Sequence, residues 1–409
     1  MEIRPIVSAL LRNKTGALLI AAQIALTLAI VSNAAYIIRD RVAISSRSSG
    51  IDDESSVFRI AVDSVNTPGD PLAVQKQEER MLAALPGVES VAASNQVPLG
   101  QSGWNMSLFL DKAQTDSSAS MAFYFTPGPL VKTLGLKLID GRDLTETDVD
   151  VINVRENEHR LGHVAVITQA LAKKLFPGEA SAVGKHVFLG NSADSPEYEI
   201  VGVVERLQSP WSQNGERGEW SLITAIRPIQ GYADYLVRTE PGQAERVMRD
   251  AEAALTRAGS ERLVVEKHTM TEVRDRRYRA DKAMVWMLVT VTVLLLLVTA
   301  SGIVGMATLW VNQRRKQIGV RRALGARRAD ILRYFVTENV LISSLGIAAG
   351  TLLALSLNQL LVSQFELPRL PLSHLLVGMG VLWILGIVAV YGPARRAASV
   401  APATATRSA

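Results

Sequence analysis

The 409-residue chain is 48% hydrophobic, 20% charged and only 5% aromatic, and its 44 Lys and Arg against 39 Asp and Glu leave a formal charge of +5. Its mean hydropathy is +0.17. So much apolar content with so little net charge excludes intrinsic disorder. The absence of Cys excludes a disulfide framework and a thiolate metal site, and fits either side of a membrane.

In chain order, residues 1–15 place Ile3, Ile6, Val7, Leu10 and Leu11 at helical spacing opposite Arg4, Arg12 and Lys14. They form either an amphipathic helix on the inner leaflet or an extension of the first span. Lys14 to Arg39 encloses 24 uncharged residues, more than a signal-peptide core contains. Lys282 to Arg314 encloses 31, Glu338 to Glu366 encloses 27, and Arg369 to Arg395 encloses 25. Each exceeds the ~20 residues that cross a bilayer, so four transmembrane helices are expected. Ser90 to Leu110 also lacks charge, but its Asn, Gln, Pro and Gly residues mark a loop-rich soluble segment.

Residues 40–282 are expected to form an α+β extracytoplasmic domain. Val57–Asp63 alternates like a strand, Leu72–Leu85 is helical up to Pro86-Gly87, and Val88–Ser94 is a second strand. The order recurs at Tyr232–Thr239, Gln243–Ala258 (stopped by Gly259) and Arg262–His268. Two such units predict a split ferredoxin-like βαββαβ core, interrupted by a mainly β insert at about 95–231. The helical pattern then extends from about Met270 through the second span to Arg314, as one lever. The remaining boundaries are spans at 16–38, 283–311, 339–363 and 374–393, a basic segment at 312–336, a short outer loop at 364–373 and a tail at 394–409.

Chemistry-bearing motifs are sparse. Gly178 to Gly184-Lys185-His186 imitates a phosphate loop, but five residues separate the glycines and His stands where Ser or Thr must ligate magnesium. It is expected to be a turn into a strand at Val187–Leu189. His159 and His163 are spaced i,i+4 without an obvious third ligand, and no nucleophile elbow or intramembrane carboxylate relay occurs. No catalytic, metal or cofactor residue is assigned, and the chain is not expected to be an enzyme.

The segments 1–15 and 312–336 and the residues after Pro393 together hold 14 Lys and Arg against two acids, a net of +12 that leaves −7 elsewhere. This asymmetry places the three segments, and both termini, in the cytoplasm. It marks a membrane face, with no nucleic acid implied. Within Asn312–Glu338, Gln317–Leu324 is expected to form a short helix, with Ile318 and Leu324 as apolar contacts and Gly325 as its stop. A second helix with Ile331, Leu332 and Phe335 then enters the third span. A short, rigid, basic helix between spans suits transmission of a push from a soluble partner, although positive-inside bias alone also makes such loops basic.

The run Arg314-Arg-Lys-Gln-Ile-Gly-Val-Arg-Arg-Ala-Leu-Gly-Ala326, followed by Ile331-Leu332, Phe335 and Glu338, resembles the coupling segment of MacB/FtsX-type ABC-transporter permeases. So do Thr126–Asp143, Val164–Ile167 with Ala172–Gly178, Gly184-Lys185, Tyr198–Val204, and Pro393–Ala398 with Pro402. The chain departs from that pattern at Gln317, where Glu is usual, and at Ala326-Arg327, which lacks the usual Ser or Thr N-cap. Leu99–Ser120 and Asp150–Arg160 carry no family pattern.

The resemblance implies an efflux or secretion permease of the bacterial inner membrane, with its large domain periplasmic. ATP and magnesium would act in a separate cytoplasmic ABC ATPase, since the sequence contains no Walker motif. That ATPase would contact Gln317, Ile318, Gly319, Arg321, Arg322, Leu324 and Gly325, together with the Pro393–Ala398 tail. A second permease chain, a periplasmic membrane-fusion adaptor and an outer-membrane channel are the other implied partners. The implied mechanism is mechanotransmission, with lipoprotein release or FtsX-like activation of a cell-wall hydrolase as alternatives. Gly302 and Gly305 in the second span, and Gly346 and Gly350 in the third, would allow close helix approach within one chain or between two.

Overall fold

A computed structural model describes residues 14–64, 70–153, 162–211, 215–258, 262–365 and 369–399. The expected amphipathic helix, His159, Gly259, Pro402 and most of the Asp150–Arg160 loop lie outside them. The chain divides into two units, one holding Ile44–Ala280 and the other the residues up to Ala43 and from Asp281 onward.

The first helix, α1, spans Lys14–Ser45. Then follow β1 (Val57–Ser64), α2 (Pro71–Ala83) and β2 (Val88–Ala93). The inserted block comprises β3 (Asn105–Leu108), β4 (Ala119–Thr126), α3 (Leu130–Leu134), β5 (Leu138–Gly141), β6 (Asp150–Ile152) and β7 (Val164–Thr168). It continues with α4 (Gln169–Leu175), β8 (His186–Phe188), β9 (Glu197–Val204) and β10 (Ser221–Pro228). β11 (Ala233–Thr239), α5 (Ala244–Ala258) and β12 (Arg262–Thr269) follow, and β12 runs without a linker into α6 (Met270–Gln313). The chain ends with α7 (Arg315–Ala323), α8 (Arg328–Phe365) and α9 (Leu372–Ala398).

In the α/β unit, the strand order β12-β1-β11-β2 with every neighbour antiparallel is the ferredoxin-like arrangement expected from the two repeated units. Alternation along β1 explains its two faces. Phe58, Ile60 and Val62 meet Leu82 of α2 and Val247, Ala251 and Leu255 of α5, while Val57 joins the core on the other side. α2 starts cleanly because Asp70 accepts the Leu72 N–H at 3.0 Å and Pro71 fills the first turn. The insert is an eight-stranded mixed sheet, ordered β3-β4-β10-β7-β9-β5, with β6 on β10 and β8 on β9. Along β4, Met121, Phe123 and Phe125 enter one core and Ala122 and Tyr124 the other. The phosphate-loop imitation is a turn before β8, in which Lys185 pairs with Glu179 and stacks over Phe176.

In the helical unit, α1, α6, α8 and α9 are each long and apolar enough to span a bilayer. α6 alone has 44 residues, about 66 Å of helix. α1 is the central element, with Ile20, Ala21, Ile24, Ala25 and Leu28 all buried. A Cβ on Gly346 would lie 2.7 Å from the Ala21 carbonyl oxygen, and one on Gly350 would lie 2.8 Å from Ala25 Cα. A Cβ on Gly302 would meet Gln23 Oε1 at 2.5 Å, whereas Gly305 has nothing within 4 Å. Three of the four predicted glycines therefore pack within this chain. Gly378 against Ser32, and Gly386 against Asn339 and Ser343, are further close approaches. Buried amides bind the helices elsewhere. Asn33 Nδ2 donates to the carbonyls of Ala29 and Ala354, and Asn358 bridges Asn33 Oδ1 and the Leu370 N–H. In α6 the apolar residues Trp286, Met287, Leu294 and Leu297 remain exposed.

Candidate coupling site

α6 and α7 meet at Arg314. Its N–H donates to the Trp310 carbonyl at 3.0 Å, ending α6, and its carbonyl accepts the Ile318 N–H at 2.9 Å, opening α7. α7 stops because the Gly325 N–H returns to the Arg322 carbonyl and the Ala326 N–H to that of Arg321. These paired bonds form a Schellman turn, which needs the left-handed φ of +99° that Gly325 supplies. α8 then begins without Ser or Thr, yet its first turn is capped. Asp330 Oδ2 accepts the Arg327 N–H at 2.9 Å, the reciprocal half of a capping box. The expected loss at Ala326-Arg327 is thus offset from three residues downstream, and α7 sits between two defined ends.

The seven predicted coupling residues divide by face. Ile318 and Gly319 are buried toward the helical unit, Ile318 in one cluster with Ile331, Phe335, Ala394, Ala397 and Ala398. Arg322 Nη1 donates to the Ala398 carbonyl at 2.6 Å, a cation at a helix C-terminus. The Arg321 guanidinium lies 5.3 Å from the Tyr334 ring centre. Gln317, Arg321, Leu324 and Gly325 are exposed.

Two expectations change. Leu324 is no packing contact: it is 84% exposed, because it occupies the C-cap where the chain turns outward through Gly325. Within Pro393–Ala398, Pro393, Ala394, Ala397 and Ala398 are buried and Arg395 and Arg396 are exposed. Ala394, Ala397 and Ala398 pack in the same cluster as Ile318 of α7 and so face the helical core. Sequence reading missed Val320, which is 51% exposed and lies with Gln317 and Leu324 on one helical face. Its spacing of three from Gln317 and four from Leu324 was the available signal.

The outward surface of α7 and of the start of α8 is therefore a short apolar stripe, Val320 and Leu324, rimmed by exposed Arg315, Lys316, Arg321, Arg327 and Arg328. Such a surface suits an acidic-rimmed protein groove.

Comparison with known proteins decides the relationship. A family profile described as MacB-like periplasmic core domain matches residues 20–254, and one described as FtsX-like permease C-terminal matches residues 289–402. The chain belongs to the MacB/FtsX-type ABC permeases. Among curated members, it is 26% identical over 276 residues to the macrolide export ATP-binding/permease protein MacB of Chromobacterium violaceum, covering 66% of this chain and 40% of that one. With the MacB protein of Nitrosomonas europaea, identity is 29% over 287 residues, with the same two coverages. The chain thus spans about two-fifths of the length of these relatives. Among solved structures, the extracellular domain of the noncanonic ABC-type transporter YknZ from Gram-positive bacteria aligns at 17% identity and a TM-score of 0.30, covering 51% of this chain and all of that one. As a MacB/FtsX-type permease, the chain combines four transmembrane helices with an α/β extracytoplasmic domain.

Proposed function

We propose that this permease is the membrane subunit of an ABC-type efflux complex and that α7 is its coupling helix, receiving force from a separate cytoplasmic ATPase. Both termini and α7 lie in the cytoplasm on this reading, and Ile44–Ala280 lies in the periplasm. The single observation that carries it is the exposed Gln317–Val320–Leu324 face on a short helix fixed at both ends and braced from below. Val320 and Leu324 together form an apolar stripe with a basic rim, and that combination, more than either residue alone, supports a partner surface there. ATP-driven closure of two ATPase subunits would displace α7 in each of two permease chains. The displacement would pass along α6 to the periplasmic domains, expelling substrate through an adaptor and an outer-membrane duct. Relatives named as exporters of macrolides or pyoverdine support an export role, while the substrate of this chain is left open.

The test is purification from native membranes followed by identification of copurifying chains. The wild-type chain captures an ABC ATPase and stimulates its ATP hydrolysis. Leu324→Asp places a charge in the apolar stripe without touching the core, and is expected to lower capture about thirtyfold, the scale of an interface hot spot. Gly325→Pro removes the left-handed turn and an N–H, and is expected to abolish capture. Full capture by both variants would refute the assignment of α7.

A further inference from the structure

Arg314 is the corner residue shared by α6 and α7, since its backbone closes one helix and opens the other. Its side chain reaches a third element. Nη1 lies 2.9 and 2.8 Å from the two carboxylate oxygens of Glu338 on α8. The Glu338 side chain is 1% exposed and that of Arg314 is 17% exposed. Four residues before Glu338 on α8, Tyr334 takes the Arg321 guanidinium against its ring. Arg314 and Arg321 thus grip one face of α8 at i and i+4 positions.

Stability alone does not account for such a pair. Desolvating two charges offsets most of their attraction, and an apolar pair of similar volume is often as stable or more so. A buried ion pair instead fixes register, because a carboxylate and a guanidinium are satisfied at one mutual position while apolar surfaces tolerate sliding. Here the fixed element is the corner between the α6 helix and the helix bearing the exposed stripe.

We infer that Arg314 and Glu338 are the positioning pair that makes α7, the α6 corner and α8 move as one body, so that displacement of α7 reaches the extracytoplasmic domain instead of being absorbed by slippage at the corner. This rests on the proposed coupling role of α7. Neither residue touches substrate or nucleotide on this account, and both act through the helices they join.

The experiment uses the full chain purified with its native ATPase and measures hydrogen exchange across Ile44–Ala280 with and without ATP. Glu338→Gln leaves a buried guanidinium facing a neutral partner and is expected to lose the ATP-dependent change. The decisive variant is Arg314→Met with Glu338→Met, which removes both charges together and leaves neither buried unpaired. It is expected to capture the ATPase and hydrolyse ATP as the wild type does, with the ATP-dependent exchange difference reduced about tenfold, a typical coupling loss. Glu338→Asp, which keeps the carboxylate, is expected to retain the response. A purely structural pair would instead lower yield and ATPase capture while leaving the response of the surviving complex intact. A wild-type response that persists in the double Met variant overturns the pair's role alone. A wild-type chain with no ATP-dependent response overturns the coupling reading and the pair's role with it.

Discussion

Each unit of this permease buries an arginine–glutamate pair, and the two pairs are built differently. In the α/β unit, Glu78 of α2 faces Arg262 at the start of β12, with side chains 3% and 9% exposed. Glu78 accepts from Arg262 Nε at 2.6 Å and from the Tyr235 hydroxyl at 2.7 Å, and Arg262 also donates to the Gly231 carbonyl. That pair is the centre of a saturated network joining a helix to two strands of one sheet. In the helical unit, Glu338 receives both its contacts from a single nitrogen of Arg314. The first arrangement engages all three guanidinium nitrogens of Arg262 and the Tyr235 hydroxyl. The second ties the α6 corner to α8, beside Ile318, Ile331, Tyr334 and Phe335. Sheet and helical units are therefore expected to fail in different ways when disturbed.

The largest effect should come from breaking the saturated pair. Glu78→Ala leaves the Arg262 guanidinium and the Tyr235 hydroxyl buried without their acceptor, and is expected to destabilise the α/β unit by about 3–5 kcal/mol. Denaturant unfolding of the full chain in detergent, followed by the far-ultraviolet signal, measures it. Glu78→Met with Arg262→Met should recover much of the loss. If the single substitution shifted the midpoint no more than a surface change does, the distinction between the two pairs would collapse.

Much of the sheet unit was legible in the sequence, and the reason is local. Val57–Asp63, Leu72–Leu85 and Val88–Ser94 each carry a clear period, and their repetition from Tyr232 onward implies the antiparallel order β12-β1-β11-β2. The insert was legible only as β-rich. The parallel pairing of β4 with β10 joins strands roughly a hundred residues apart, and no local pattern encodes such a partner. In the helical unit the spans were plain from composition, but their neighbours were not. Gly346 and Gly350 signal close approach without saying that Ala21, Ile24, Ala25 and Leu28 are what they approach. Glu338 looked like the edge of an apolar run, because a lone acid there marks a boundary whether or not it is paired. Leu324 misled for a related reason: an apolar residue at a helix end faces inward or outward according to the turn that follows.

Intermediate effects should follow from adding volume where helices touch. Gly350→Val must push α8 away from Ala25 Cα at 2.8 Å and Leu28 Cβ at 3.1 Å. Overpacking of this kind costs about 1–3 kcal/mol. Gly305→Val, with nothing within 4 Å, is the matched control and should change stability by less than about 0.5 kcal/mol. Thermal unfolding in detergent separates the two. Equal losses would mean that helix propensity, not contact with α1, sets the penalty. A loss at Gly305 alone would instead point to a contact made outside the single chain.

The smallest effect concerns a half-exposed ion pair of the α/β unit and carries a pH signature. The Asp148 carboxylate accepts from Arg142 at 2.6 and 3.1 Å, from the Thr145 N–H at 2.8 Å and from the Thr145 hydroxyl at 2.8 Å. The Arg142 hydrogen bonds, helped by Thr145, hold this carboxyl well below the usual carboxylate range. A depressed folded-state pKa means stability that is fully present above the unfolded value, near ~4, and lost as pH falls through the folded one. The Arg142 side chain is 49% exposed, so water screens the pair and about 1 kcal/mol is the expected scale. Asp148→Asn should therefore lower the urea midpoint by a constant amount from about pH 7 to about pH 5, and by progressively less below about pH 4. A deficit that stayed the same at pH 3 would trace the loss to the capping geometry at Thr145, which needs an acceptor at any pH, and not to the carboxylate charge.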